Sequence, residues 1–476
     1  MDPLQNVPLD SEIGNFTSGG ISVEITINHE CIQWSFNNSS ETEAKLKVKN
    51  KCLEWKDVVG VQPLSKNTNH LTESQQKTDT DFNQIKLYYI VKKEDHKWKC
   101  DHIIFEGDFS SWISRLKERI RQGKPRNLLV IINPIGGFGK GRQNYEKKVA
   151  PLFELADITT DVKVTERAGH TIDILKTYDF STINGIVSVG GDGLYHEVLN
   201  GILPTIQDDN IDYNDTDVTL KSPPVPIGVI PTGTGNGIAG WSCGCIDIET
   251  SALHIIRGEH HKSCALSIKV GGKHVAFAGL LFSYGVMSDL IKKSEERRWM
   301  KVMRYPVSLL GGFLGRQRSF NADVTYKTLN TNMDEEKKED NCETDWKTVD
   351  LKEFLSVNVF CCDMRVDNGV VKCDRQSDSI LLMSYGRIKK LEQMKLWGRI
   401  ATQNPNFLDF DWLIKNSNVT RFHIKVDESV DCGSSNEKDR ALELYVNIDG
   451  ESIPISERDI DVRFCSQLVP IYSSKF

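Results

Sequence analysis

The chain has 476 residues, 39% hydrophobic and 26% charged, with a formal net charge of −7. That length exceeds one compact core and implies two or three domains, while the acidic balance speaks against a nucleic-acid partner, which calls for a basic surplus. The longest apolar stretch, "FAGLLFSYGVM" at 277–287, falls short of the ~18 residues a spanning helix needs and reads as core strand; the cysteines form no C-x-x-C pair, which fits free thiols in a reducing, cytoplasmic compartment.

In chain order, residues 1–20 read as a flexible N-terminus. Residues 21–121 read as a β domain: "ISVEITI", "CIQWSF", "AKLKVKN", "DVVGVQPL", "IKLYYIVKK" and "KCDHIIFEG" carry strand patterning between polar breaks, with a polar loop at 65–84. "DFSSWISRLKERI" (108–120) then turns helical, with Ser110 or Ser111 as its expected cap and Trp112, Leu116 and Ile120 on one face. Several strands closed by one such helix resemble a pleckstrin-homology domain. After a linker near 121–127 the pattern changes. "LLVIIN" is a continuous apolar run, as in a parallel strand covered on both faces, and helices near 141–156, 169–178 and 194–203 alternate with strands at 159–165, 183–190 and "PIGVIP". This predicts an α/β domain with a mostly parallel sheet over 125–261. Strands resume over 262–476, predicting an antiparallel β-rich domain with a charged insertion at 328–348.

Glycines crowd the ends of the predicted parallel strands. "INPIGGFGKG" places Asn133, Pro134, Gly136, Gly137 and Gly139 between a strand and a helix, followed by Lys140 and Arg142. It is neither a Walker A loop nor a dinucleotide fingerprint, but its amides and charge suit a phosphate. "VGGDGLYHEVLNG" sets Asp192 among Gly190, Gly191 and Gly193; a carboxylate between glycines at a strand end either caps the next helix or faces a ligand. "PTGTGNG" repeats the device with Gly233, Thr234 and Asn236. Such loops in one sheet point to one crevice.

These motifs, in this order and with "VTERAGH" between the first two, resemble the catalytic domain of diacylglycerol and sphingosine kinases. "YEKKVAPLFELADITTDVKVTE", "SEERRWMKVMRY" and the N-terminal region narrow the resemblance to ceramide kinases. Two features depart from that pattern: Thr232–Gly237 keeps a sphingosine-kinase-like form, and a C-x-x-x-C-x-x-C segment is missing. The resemblance implies transfer of the ATP γ-phosphoryl group to the primary hydroxyl of ceramide, with sphingosine or a broader lipid range as the alternative and an inactive lipid-binding scaffold as the rival from another class. It implies Asp192 as proton acceptor and Gly190, Gly191, Asp192 and Gly193 at the substrate head. It also implies Asn133, Pro134, Gly136, Gly137, Gly139, Thr165, Glu197, Gly233, Thr234, Asn236, Arg298 and Arg304 at the nucleotide, and Asp449 and Glu451 ("NIDGES") at nucleotide or Mg²⁺, with Ca²⁺ as a further stimulant. Asp289 is weighed between gripping the lipid head and starting a helix. His196 reads as a surface or packing residue.

A membrane-borne substrate implies an anionic membrane surface as partner and peripheral attachment from the cytosol. Lys45, Lys47, Lys49 and Lys51 alternate along one expected strand, although the expected first hairpin turn, "NHE", is not basic. "LEQMKLWGRIATQ" at 391–403 is amphipathic, a packed surface helix or a site for membrane or calmodulin.

Overall fold

A computed structural model describes residues 11–36, 51–64, 83–208, 211–213, 218–297, 318–329, 345–361, 363–367, 370–374, 378–401, 408–427 and 444–474. The N-terminal part is a seven-stranded antiparallel sheet of β1 (Glu12–Ser18), β2 (Ile21–Ile27), β3 (Cys31–Phe36), β4 (Lys51–Glu54), β5 (Val58–Leu64), β6 (Gln84–Lys92) and β7 (Trp98–Glu106), in the order β4-β3-β2-β1-β7-β6-β5, closed by helix α1 (Ile113–Arg121). Inward side chains such as Val23, Ile25, Trp34, Leu87 and Phe105 meet Trp112, just ahead of the helix, and Leu116 and Ile120 on it in one core.

Two expectations need correcting here. Residues 12–18 are not a flexible tail: β1 pairs with β2 from Glu12↔Ile27 to Ser18↔Ile21. Its alternation is weak, with Ile13 exposed, but the Gly19-Gly20 turn, both at positive φ, is a hairpin signal. "NHE" is therefore the second turn. The serines do not cap α1 either: Asp108 Oδ1 accepts from Ser110 N at 2.9 Å and from Ser110 Oγ at 2.6 Å, ordering the turn ahead of the helix.

The second part begins with β8 (Asn127–Ile132). Helices α2 (Gly141–Asn144) and α3 (Ala150–Leu155) follow, joined by a π-helical turn at Tyr145–Val149. Next come β9 (Thr159–Val164), α4 (His170–Lys176), β10 (Gly185–Gly190), α5 (Asp192–Ile206), β11 (Ile227–Pro231), α6 (Gly237–Cys243) and α7 (Ile248–Arg257). The strands run parallel in the order β9-β8-β10-β11. Both faces are covered, because alternate residues of β8 enter different cores: Leu129 and Ile131 one, Leu128, Val130 and Ile132 the other.

The β-rich part comprises β12 (His260–Val270), β13 (Lys273–Ala278), β14 (Leu281–Gly285), helix α8 (Val286–Glu295), β15 (Phe320–Thr328), β16 (Lys347–Thr348), β17 (Glu353–Phe354), β18 (Ser356–Phe360), β19 (Asp363–Asp367), β20 (Val370–Asp374), β21 (Ile380–Tyr385), helix α9 (Lys390–Ala401), β22 (Ile414–Val426), β23 (Tyr445–Ile448), β24 (Glu451–Pro454) and β25 (Asp459–Tyr472). Its pairings are antiparallel, but it does not form a separate sheet. β25 pairs antiparallel with β12 and β22, then meets β11 in parallel at Ile227↔Ile471. The last strand thus extends the parallel sheet, and the Tyr472 hydroxyl donates to Asn184 O at 2.9 Å.

The N-terminal sheet is seated on the α/β part. The Trp98 ring stacks on His254 at 3.7 Å, and the Trp98 and Cys100 amides donate to Thr250 Oγ1 at 3.0 Å and Glu249 Oε1 at 2.8 Å on α7. Buried Arg257 pairs with Asp57 at 3.0 Å. No helix among the described residues is long and apolar enough to cross a membrane.

Candidate functional site

The glycine loops meet at the C-terminal edge of the parallel sheet, where open α/β sheets hold ligands. They touch through backbone, and that is why they lack side chains. A Cβ on Gly191 would stand 2.6 Å from Gly235 O and 3.0 Å from Gly233 Cα. Gly137 has φ +58, and a Cβ there would run into the Thr232 carbonyl oxygen. Thr232 N donates to Gly190 O at 2.9 Å, and Asp192 N to Gly235 O at 3.3 Å.

Polar side chains hold each loop. Asn133 Oδ1 accepts from the amides of Ile135 (3.1 Å) and Gly136 (3.0 Å), folding the first loop about itself. Asn236 does the same in the third, accepting from Gly233 N and donating to Gly233 O, both at 3.1 Å. Asp192 opens α5, yet its carboxylate reaches the neighbouring loop: Oδ2 accepts from Gly237 N at 3.0 Å and Oδ1 from Ile238 N at 3.1 Å. It therefore caps α6, the third loop's helix, and not its own. This fixes the carboxylate where the second and third loops join, a geometry that suits taking a proton from a bound hydroxyl.

The buried side-chain oxygens without a hydrogen-bond partner among the described residues include Thr232 Oγ1 and Glu197 Oε2. Glu197 Oε1 accepts from Gly169 N at 3.0 Å, tying α5 to the start of α4. Unsatisfied oxygens in a crevice are places for ligand donors. Thr165 is buried against β8, its N and Oγ1 both donating to Ile132 O at 2.9 and 3.3 Å. Thr234 is half-buried in the third loop, as are Pro134 and Gly136 in the first, and Gly139, exposed, closes the first loop by donating to Gly136 O at 2.9 Å. Arg298 and Arg304 lie outside the described residues, as do Lys45, Lys47 and Lys49; Lys51 opens β4 with its ammonium 3.9 Å from the Tyr89 ring centroid.

Asp449 is not disposed as a metal ligand. It is 2% exposed. Its Oδ1 accepts from Leu280 N at 2.7 Å and Leu281 N at 2.9 Å; its Oδ2 accepts from Gly279 N at 2.8 Å and faces His196 Nδ1 at 3.2 Å. The Asp-Gly pair, at φ 54 and 87, forms a tight turn between Ile448 and Glu451, which pair across β23 and β24. That turn delivers Glu451: its carboxylate lies against the Cα of Gly193, beside Asp192, where a Gly193 Cβ would collide with it. Of the two acidic residues, Glu451 alone stands at the crevice.

Asp289 requires a similar correction. In the first turn of α8 it is buried, and Arg318 grips both oxygens, Nε at 3.1 and 3.0 Å and Nη2 at 3.0 Å. It starts a helix and anchors a buried arginine, and is not open to a lipid head. His196, expected at the surface or in packing, is buried beside Asp449. Sequence reasoning missed the amides of Gly237 and Ile238 and of Gly279–Leu281. A backbone donor carries no residue signature; only the helix start after "GNG" hints at the first pair.

Residues 127–268 match the family described as the diacylglycerol kinase catalytic domain, and residues 13–115 match the ceramide kinase PH domain. The chain is 37% identical over 235 residues to human ceramide kinase and 33% identical over 238 residues to Arabidopsis thaliana sphingosine kinase 2, matches that cover 48% and 46% of this chain and 44% and 46% of those proteins. It thus spans about half the length of these curated relatives. A human ceramide kinase-like protein is 22% identical over 96% of this chain and 89% of its own length. Among solved structures, a diacylglycerol kinase from Bacillus anthracis aligns with 74% of this chain and 98% of its own at TM-score 0.45 and 14% identity. The resemblance to diacylglycerol and ceramide kinases is borne out.

Proposed function

Since the chain carries a diacylglycerol kinase catalytic domain over residues 127–268 and a PH domain of the ceramide kinase kind over residues 13–115, we propose that it is an ATP-dependent lipid kinase whose acceptor is the primary hydroxyl of ceramide. The observation that carries this reading is the Asp192 carboxylate, held by the Gly237 and Ile238 amides at the junction of glycine loops.

In this reading the first loop, Asn133 through Gly139, and the third, with Gly233, Thr234 and Asn236, cradle the triphosphate through backbone amides, while Thr165, the Thr232 hydroxyl and Glu197 line its surroundings. Contact of Gly190, Gly191 and Gly193 with the acceptor's head is proposed on the sequence pattern; the space their side chains would take is filled by Leu194, the third loop and Glu451. The acceptor oxygen attacks the γ-phosphorus, the bond to the bridging oxygen of ADP breaks, and Asp192 takes the hydroxyl proton, leaving a lipid phosphomonoester. A divalent cation carried with the triphosphate neutralises its charge; Glu451 is the carboxylate beside Asp192 that would meet it. Arg298 and Arg304 are proposed phosphate contacts on sequence pattern alone. The domain limits are read as 12–121 for the PH domain and 125–261 for the nucleotide-binding part, with 262–476 supplying the lipid side. Peripheral attachment to membranes, Ca²⁺ stimulation and calmodulin binding near 391–403 belong to the same proposal.

The sphingosine-kinase-like third loop favours a second reading, with sphingosine as acceptor. Labelled ATP offered with ceramide, sphingosine and diacylglycerol in mixed micelles separates the two. Ceramide 1-phosphate as the main product supports the first; sphingosine 1-phosphate alone overturns it.

A further inference from the structure

The first glycine loop has a second property that phosphate binding does not use. Its backbone folds inward on Asn133, and this turns two large apolar side chains out: Ile135 is 84% exposed and Phe138 is 70% exposed, the highest values among the described large hydrophobics. Neither joins a core cluster. Fixing two large apolar side chains in water beside a crevice costs solubility without any packing return. Basic side chains flank them. Lys140, Arg142, Lys147 and Lys148 are all exposed, with Glu146 as the acidic residue between, paired to Arg142 at 2.7 Å. Four cations against one carboxylate within 135–148 stand out on a chain of net charge −7.

We propose that this loop is a membrane-docking wedge: Ile135 and Phe138 enter the interfacial layer of an anionic bilayer while Lys140, Arg142, Lys147 and Lys148 lie against its lipid head groups. Apolar side chains carried on a basic rim are the pattern of interfacial binding. The placement gives the wedge a purpose. Gly137, between the two apolar residues, packs on Thr232 and Gly233, so insertion would bring the crevice rim, with Asp192 across it, to the depth at which a lipid hydroxyl lies. That purpose rests on the lipid-kinase reading; the docking itself does not.

The test uses the full chain and sedimentation with vesicles of phosphatidylcholine, alone or with phosphatidylserine. An Ile135→Ser/Phe138→Ser variant should lose about tenfold or more in partition to both vesicles, and Lys147→Glu/Lys148→Glu should lose only the increment due to phosphatidylserine. For the wedge variant, thermal midpoint and circular dichroism should match the parent chain, so that any loss of vesicle binding is read on a folded protein. Undiminished vesicle binding by the wedge variant overturns the proposal. So does a raised ATP KM with binding intact, which would make the pair a cover for the nucleotide, or a loss of self-association with binding intact, which would make it an interface between copies. If the parent chain phosphorylates no lipid yet the wedge variant sheds vesicles, the kinase reading falls and the docking surface stands.

Discussion

Oδ2 of Asp449 lies 3.2 Å from Nδ1 of His196, a contact spanning 253 positions of sequence. It joins the turn that carries Glu451 to the helix that begins at Asp192, so the last hairpin of the β-rich part is fastened to the crevice by a buried carboxylate. Asn200, one turn after His196, adds a second fastening: it donates to Phe277 O at 2.9 Å and accepts from Phe277 N at 2.8 Å.

Replacing Asp449 by alanine would orphan the amides of Gly279, Leu280 and Leu281. Unpaired buried donors cost ~1–3 kcal/mol each, so the variant should lose ~3 kcal/mol or more in chemical denaturation. Any residual turnover should show an unchanged Mg²⁺ requirement. A variant of normal stability needing more Mg²⁺ would restore Asp449 as a ligand.

Asp192→Asn should behave in the opposite way. One oxygen can still accept from an α6 amide, but the new NH₂ faces a donor, costing about 1 kcal/mol. As proton acceptor, the lost carboxylate should lower kcat by ~10²–10⁴-fold. Turnover near that of the parent chain, with folding verified by circular dichroism, would remove Asp192 from the mechanism.

The closeness of the loops makes a third expectation. Alanine at Gly137 must adopt φ +58 and displace the Thr232 carbonyl; the backbone strain alone is ~1–2 kcal/mol. If the loops cradle the triphosphate, ATP KM should rise at least tenfold for Gly137→Ala. The change in thermal midpoint should be modest, because the loop tip lies outside the cores. Unaltered ATP affinity would mean that the first loop does not touch the nucleotide.

These expectations also mark what was legible in the sequence. The glycine loops, their order and their shared crevice were readable because a parallel strand covered on both faces is a continuous apolar run and its end needs small residues. The roles of Asp449 and Asp289 were not. An acidic residue looks the same in sequence whether it faces a metal, three backbone amides or a buried arginine, and the Arg318 and Gly279–Leu281 partners lie 29 and about 170 positions away. The β1 strand was missed because one exposed isoleucine and two polar residues blur its alternation, although Gly19-Gly20 signalled the turn. The path of β25 from the antiparallel region into the parallel sheet is a long-range pairing that local periodicity does not encode.

The seat of the PH domain carries a dependence on pH. His254, stacked on Trp98, has its pKa pushed down to about 3, first by burial and then by Arg257 and Lys92, against the pull of Glu259. The folded chain therefore keeps it neutral, while the unfolded chain protonates below its ordinary value of 6.5. Stability is complete above that value and is lost as the pH falls toward about 3, because the unfolded state binds the extra proton. Between pH 6.5 and 5, a range in which ordinary carboxylates stay largely ionised, this one group should remove about 2 kcal/mol. His274, pushed down to about 4 by burial and then by Lys269, adds in the same direction. His254→Phe keeps a ring against Trp98 and cannot take the proton. Its stability, measured by urea unfolding, should therefore fall less over this interval than that of the parent chain. Parallel acid profiles for the two chains would show that His254 titrates normally and that the seat does not exclude water.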